Sequence, residues 1–220
     1  MTTPTEITLP MMRQSFTSAV VSDALDAEGY PRQSPRVPLK PLTVNTVLVG
    51  RCRTTLWAEM AHPDPRPYDL ELRAVDSCRT DDVIIAAANG SLRSGVWGEL
   101  LSTAARNGGC VGVIVDGGVR DVRQMRAMGF PCFARATIVY DSRDRQRVID
   151  LDVPVEIDGV RFNSGDLVIA DEDGVVVVPR AVETSVVRRA WDKVHAENRV
   201  RDAIKGGMKA TTAFDTFGVL

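Results

Sequence analysis

The stretch from Val83 to Ala134 constrains the fold of this chain more than any other. It opens on a wholly apolar run, Val83-Ile-Ile-Ala-Ala-Ala88, and passes through a polar, glycine-containing loop at 89–98. A helical segment, Glu99–Asn107, follows and is broken by Gly108-Gly109. A second apolar run, Val111–Val115, exits through Asp116-Gly117-Gly118. Another helical segment, Asp121–Met128, is closed by Gly129 and leads into a third run, Phe130–Ala134. Short continuous apolar runs are the pattern of strands buried on both faces. Such strands alternating with helices on short links predict an α/β fold with a central, largely parallel sheet. Right-handed crossovers then bring loops 89–98 and 116–120 to one edge of that sheet.

The flanking regions read less regularly. Met12, Phe16, Ala19, Val20 and Leu25 recur at helical spacing, which predicts one helix over 10–28 with Gly29 as its stop. Pro31, Pro35, Pro38 and Pro41 make 31–45 an extended loop, and 46–57 reads as a strand with a bulge at Gly50. After the turn-rich HPDPRP at 62–67, a helix over 68–78 is expected to turn Leu70, Leu72, Val75 and Cys78 inward. Beyond residue 150 the segments Val153–Ile157, Arg161–Phe162, Leu167–Ala170 and Val175–Val178, separated by Asp-Gly-type turns, predict C-terminal β hairpins. A long C-terminal helix over 180–205 carries Val182, Val186, Ala190, Val194, Val200 and Ile204 as a narrow apolar stripe. A stripe of that kind at the chain end is expected to pack on a neighbouring subunit.

Composition narrows the chemistry. Net charge is −2 with 5% aromatic residues and no basic block, which argues against direct nucleic-acid binding. The apolar runs fall far short of the ~20 residues of a membrane span, and MTTPTEITLPMMRQ lacks the build of a secretory leader. Cys52, Cys78, Cys110 and Cys132 form no CxxC pair and sit among apolar neighbours, as buried thiols of a reducing, cytoplasmic protein do. With His62 and His195 as the only histidines, a His/Cys zinc site is improbable, so any metal is expected on oxygen ligands, which points to magnesium or manganese.

The densest polar feature is VIVDGGVRDVRQM at 113–125, where a buried strand runs out into Arg120-Asp121 at a helix start. Asp121 can serve as an N-cap with Gln124 as its capping-box partner, and Arg120 can be solvated. Glu99 opens the preceding helix, twenty-one positions before Arg120, at the same sheet edge. It can be a first-turn acid favouring the helix dipole. It can equally converge with Arg120 and Asp121, since two carboxylates with waters suit a hard octahedral cation and a guanidinium suits a substrate carboxylate. The free N–H groups of Leu100 and Leu101 in the first helical turn add a place for an anion.

The spacing of Glu99, twenty intervening residues and Arg120-Asp121 resembles the signature of the RraA-like family. Further matches are SDALDAEG at 22–29, GELLSTAARNGGCVG at 98–112, VIVDGGVRD at 113–121, MGFPCFAR at 128–135 and GDLVIADEDGVVVVP at 165–179. The resemblance implies a single domain over 1–220, a three-layer sandwich of the swivelling β/β/α type, and a homotrimer or homohexamer with sites at subunit boundaries. It implies a class II pyruvate aldolase: a divalent-metal-dependent lyase, with Mg2+ or Mn2+, that cleaves a 4-hydroxy-2-oxo acid such as 4-hydroxy-4-methyl-2-oxoglutarate and also decarboxylates oxaloacetate. Asp121 is then the metal ligand, Arg120 the contact to the pyruvyl part, and Glu99 the holder of a water. The backbone of Gly98, Glu99, Leu100 and Leu101 receives the substrate carboxylate. Glu197 of a neighbouring copy completes the site, although it also reads as a solvated helix residue beside Arg201. The family also contains regulators that bind an RNA-processing endoribonuclease without catalysis, and that alternative stands. The Pro-rich 62–73 and Trp97 depart from the family pattern and bear on the substrate's distal half.

Overall fold

A computed structural model describes residues 6–218; residues 1–5 and 219–220, which include part of the segment read for a leader, lie outside it. The chain runs α1 (Leu9–Ser15), α2 (Ser18–Ala27), β1 (Lys40–Pro41), β2 (Leu48–Glu59), α3 (Asp69–Asp76), β3 (Asp82–Ala87), β4 (Gly95–Trp97), α4 (Glu99–Asn107), β5 (Gly112–Val119), α5 (Val122–Ala127) and β6 (Cys132–Thr137). Then follow β7 (Gln146–Leu151), β8 (Val155–Ile157), β9 (Val160–Phe162), β10 (Leu167–Ala170), β11 (Val175–Val178), a single 3-10 turn Arg180–Val182, α6 (Glu183–Lys205) and α7 (Ala210–Phe217).

The main sheet has the order β1-β6-β5-β3-β2-β10-β11. Its centre, β6-β5-β3-β2, is parallel, as the strand–helix alternation demands, while β1, β7, β10 and β11 join antiparallel. Alternate residues of each strand supply different layers. Ile84, Ala86, Val113 and Val115 face α3, α4 and α5; Val83, Ile85 and Ile114 face inward onto Val168, Val175, Val177 and the small β8–β9 hairpin. The opposite face of β10 and β11, through Leu167, Ile169, Val176 and Val178, is covered by α1, α2 and α6. The sheet therefore curls on itself and is clad by helices, which is the layered α/β arrangement expected.

Several local expectations are corrected. The segment 10–28 is two helices, because Thr17 takes an extended conformation and its hydroxyl accepts the Val20 N–H at 3.2 Å, capping α2. Gly50 is no bulge; the irregularity in β2 falls between Leu56 and Trp57, and Gly50 is glycine because a Cβ there would lie 2.4 Å from the Asp81 carbonyl oxygen. Asp116-Gly117-Gly118 is not a turn: β5 runs through it to Val119, buried throughout. The stripe of α6 divides, since Val186, Ala190 and Val194 pack on α2 of the same chain and α7 folds back on the distal end, with Ile204 left partly exposed. The four cysteines are buried and free, and no described helix is long and apolar enough to cross a membrane.

Candidate active site

The extension of β5 builds the site. Beyond the parallel core, β4 pairs alongside it with Gly95 opposite Gly118 and Trp97 opposite Val119. A Cβ on Gly118 would lie 2.6 Å from an Ile138 side-chain carbon and 2.8 Å from the Ser94 carbonyl oxygen, so only glycine admits both neighbours. This pairing delivers Gly98, which opens α4, beside Arg120 and Asp121, which open α5. The Arg120 N–H donates to the Trp97 carbonyl at 2.9 Å. The Trp97 indole N–H donates to Ser102 Oγ at 2.8 Å, and that hydroxyl donates to the Gly98 carbonyl at 2.9 Å, pinning the first turn of α4.

Asp121 occupies the N-cap position of α5 but is not a capping residue of the expected kind. Its backbone is left-handed, φ 57°, and its side chain makes no cap bond within its own helix. Asp tolerates that region better than most residues, but the conformation still costs of order 1 kcal/mol or more. The side chain crosses to α4, where Asp121 Oδ2 accepts the Glu99 N–H at 3.3 Å and lies 3.8 Å from Arg120 Nε. Gly98 leaves the room, since a Cβ there would lie 2.5 Å from Asp121 Oδ2.

Arg120, Asp121, Gly98, Leu100 and Leu101 line one open cavity of about 240 Å3, with Leu100 78% exposed at its mouth. Glu99 joins only through its backbone. Its carboxylate turns back along α4, where Oε1 accepts the Thr103 hydroxyl at 2.9 Å, and it is not among the lining residues. The expected meeting of two carboxylates is therefore a backbone N–H of Glu99 meeting the carboxylate of Asp121. Glu197 lies on α6 outside this cavity, 3.8 Å from both Lys193 and Arg201 of its own helix.

Three titratable lining residues escaped the sequence reading: Tyr68, Glu71 and Asp141. Asp141 Oδ2 pairs with Arg120 Nη2 at 2.6 Å; its Oδ1 accepts the Tyr68 hydroxyl at 2.6 Å and the Arg143 N–H at 2.7 Å. Burial opposes the ionisation of Asp141, but the Tyr68 hydroxyl, the Arg143 N–H and Arg120 together hold its carboxyl below the usual range. Burial, helped by the hydrogen bond to Asp141, pushes the Tyr68 phenol up to about 12. Glu71 is 7% exposed, and its Oε2 is the buried side-chain oxygen without a hydrogen-bond partner among the described residues. Burial, and then the Asp141 charge, push its carboxyl up to about 8 against a pull downward from Arg120. The signal for Glu71 was present: Glu71, Ala74 and Val75 are an i, i+3, i+4 set of α3 and all are buried, as is Cys78 just past its end, whereas Leu72, expected inside, is 51% exposed.

No three His, Cys, Asp or Glu side chains are grouped as a metal cage among the described residues. The donor set still fits a magnesium-like ion, which keeps several waters and takes one or two carboxylates plus ligand oxygens. Asp121, exposed at the cavity wall, supplies such a carboxylate.

Fold and cavity together define an α/β protein with a small cavity, lined by Arg120 and Asp121, at the carboxyl rim of a parallel sheet. The RraA-like family model, described as Aldolase/RraA, matches residues 18–177. A relative from Halalkalibacterium halodurans, provisionally named 4-hydroxy-4-methyl-2-oxoglutarate aldolase, is 31% identical over 91% of this chain and 90% of its own length. The chain belongs to the RraA-like family. Among solved structures, an uncharacterized protein of Pseudomonas syringae pv. tomato superposes with a TM-score of 0.82 at 27% identity, covering 93% of this chain and 95% of that one. A Streptomyces coelicolor protein described as an unusual member of the RNase ES inhibitor RraA family gives 0.76 at 29% identity, over 90% and 99% respectively.

Proposed function

We propose that this protein is a divalent-metal-dependent lyase that cleaves a 4-hydroxy-2-oxo acid to pyruvate and a second carbonyl compound, with oxaloacetate decarboxylation as a side activity. One observation carries the reading: Arg120, Asp121 and the N-terminus of α4 face one small cavity. Asp121 would hold the cation, Mg2+ or Mn2+, which when bound supplies Lewis-acid polarisation of the 2-oxo acid. The free N–H groups at the start of α4 receive the substrate carboxylate. Arg120, oriented by Asp141 at 2.6 Å, faces the charge that grows on the 2-oxygen. A water takes the proton of the 4-hydroxyl, held by Glu99 once its carboxylate leaves the Thr103 hydroxyl and turns into the cavity; the C3–C4 bond then breaks, its electron pair passing to C3 to form the enolate of pyruvate while C4 becomes a carbonyl. Protonation at C3 completes the turnover. Loss of carbon dioxide from C4 of oxaloacetate gives the same enolate. No lysine lines the cavity among the described residues, which disfavours a Schiff-base route. The working assembly in this reading is a trimer or hexamer, with Glu197 of a second copy closing the site.

The assay incubates the protein with 4-hydroxy-4-methyl-2-oxoglutarate and with oxaloacetate, in magnesium or in chelator, and follows pyruvate. Magnesium-dependent release is the expected result; full activity in chelator, or no release from either compound with magnesium or manganese, overturns the reading. The likeness to the Streptomyces coelicolor structure favours a second reading, a regulator that binds an RNA-processing enzyme. A complex with such an enzyme that survives Asp121→Asn, without pyruvate release by the parent protein, would support it.

A further inference from the structure

We infer that the cavity selects 4-hydroxy-2-oxo acids whose distal half carries no charge and presents a hydroxyl or carbonyl oxygen to the Glu71 carboxyl. The inference rests on the lyase reading and specifies the half of the substrate that the Arg120-Asp121 motif does not touch.

The far wall of the cavity, formed by α3 and the segment after β6, carries the argument. Its titratable groups are Tyr68, Glu71 and Asp141, with Ser142 beside Asp141. Two are already committed, the Tyr68 hydroxyl donating to Asp141 and Asp141 taking up Arg120 and the Arg143 N–H as well. Glu71 alone is both buried and unpartnered at Oε2. Leaving a buried polar atom unsatisfied costs roughly 1–3 kcal/mol, so a ligand oxygen that fills this position recovers that cost.

Charge decides which oxygen. Arg120 is the only cation among the described lining residues, and it serves Asp141 and the 2-oxo acid end. A second carboxylate at the far wall would meet Glu71 and the Asp141 carboxylate with no further cation among the described lining residues to balance it, since Arg143 and Arg145 approach Asp141 from outside the lining. The groups that bear on Glu71 are Asp141 and Arg120; on the β7 side of α3, Arg147 is already paired with Asp64. Glu71 stays protonated up to about pH 8 and so offers an O–H donor under ordinary conditions. The remaining wall, with Leu72, Val96 and Trp97, is apolar and suits carbon rather than charge. At about 240 Å3 the cavity lies below the roughly 300–1,000 Å3 of sites for drug-sized ligands, as a small hydroxylated acid requires.

A matched pair of compounds tests this. 4-Hydroxy-2-oxoglutarate and 4,5-dihydroxy-2-oxopentanoate share a skeleton and differ only at C5, a carboxylate in one and a hydroxymethyl group in the other. The full-length protein with magnesium is assayed for pyruvate release from each, and binding of each and of pyruvate is measured by calorimetry. The expected result is a preference of at least about tenfold for the dihydroxy compound in both kcat/KM and affinity. Glu71→Leu should erase the preference by weakening the dihydroxy compound about tenfold while leaving the dissociation constant of pyruvate unchanged. Glu71→Gln, which keeps a donor, should retain it. A preference for the dicarboxylate, a Glu71→Leu protein equal to the parent on the dihydroxy compound, or a parallel loss of pyruvate affinity overturns the inference. If neither compound is cleaved the lyase reading falls, and the calorimetric comparison still decides this one: tighter binding of the dihydroxy compound, lost in Glu71→Leu, upholds it, and equal or undetectable binding of both overturns it.

Discussion

Replacing Glu71 by Gln should change how stability depends on pH, in a direction that can be worked out beforehand. In the folded protein burial and the Asp141 charge raise the Glu71 carboxyl from 4.5 to about 8. Between those two values the folded state holds a proton that the unfolded state has released, so stability must fall as pH rises through the window. The contribution is fully present below pH 4.5 and is lost once pH exceeds about 8. At 1.36 kcal/mol per pH unit the whole span is worth about 5 kcal/mol, an amount comparable with the net stability of many domains. Glutamine has nearly the same shape and never ionises. Urea unfolding of both proteins from about pH 5 to about pH 9 isolates the term, because every other titrating group is common to the pair. The two should be nearly equal at the acid end, and the Gln variant should gain several kcal/mol at the alkaline end. A difference that stays flat across the range would mean that Glu71 ionises freely, and the account of a neutral acid in the cavity wall would be wrong.

Gly98→Ala should separate activity from folding. The added methyl displaces the end of the Asp121 side chain and presses on Arg120 Cγ at 3.3 Å, both side-chain atoms at the cavity, so stability should change by under about 1 kcal/mol, whereas pyruvate release should fall about 100-fold because a carboxylate moved by an ångström no longer meets its ligand. Arg135→Met should act the other way: Asp116, 2% exposed and held by Arg135 Nε at 2.5 Å, would be left buried without its cation, a loss of roughly 3 kcal/mol readable by urea unfolding. If Glu197 acts across a subunit boundary, Asp121→Asn and Glu197→Gln proteins, each inactive alone, should regain pyruvate release when unfolded together and reassembled; mixtures that stay inactive would place Glu197 outside the site.

The parallel centre of the sheet and the entry points of α4 and α5 were legible because each rests on a local signal: an apolar run for a strand, a glycine for a stop. Glu99–Asn107 was predicted with the bounds it has in the fold. What remained hidden depends on neighbours distant in sequence. Asp116-Gly117-Gly118 has the composition of a turn, and only the approach of Ser91 and Ala88 to Gly117 and of Ser94 and Ile138 to Gly118 shows why strand glycines are needed there. Glu99 and Asp121 lie at the same sheet edge, as their spacing implied, but which atoms meet is set by rotamers, and the rotamer of Glu99 favours the Thr103 hydroxyl one turn along its own helix. Glu71 was passed over because an acid beside two leucines reads as solvent-facing, although the helical period places it inside.

That difference has a consequence for how much a motif can say about a substrate. The Arg120-Asp121 end of the cavity is fixed by backbone: a paired strand, a left-handed aspartate and a glycine with no space to spare. Those features constrain one another, so a chain that keeps the motif keeps the end that, in the lyase reading, meets a 2-oxo acid. The opposite wall is made of side chains on α3 and on the segment after β6, where Tyr68, Glu71 and Asp141 are joined by hydrogen bonds and charge rather than by backbone geometry. Exchanging Glu71 changes the charge offered to the distal half without disturbing the other end, whereas Asp141 also holds Arg120 at 2.6 Å. Relatives that share the motif therefore inform on the 2-oxo acid end alone, and the distal half of the substrate has to be read from residues 68–72 and 138–142 of each chain.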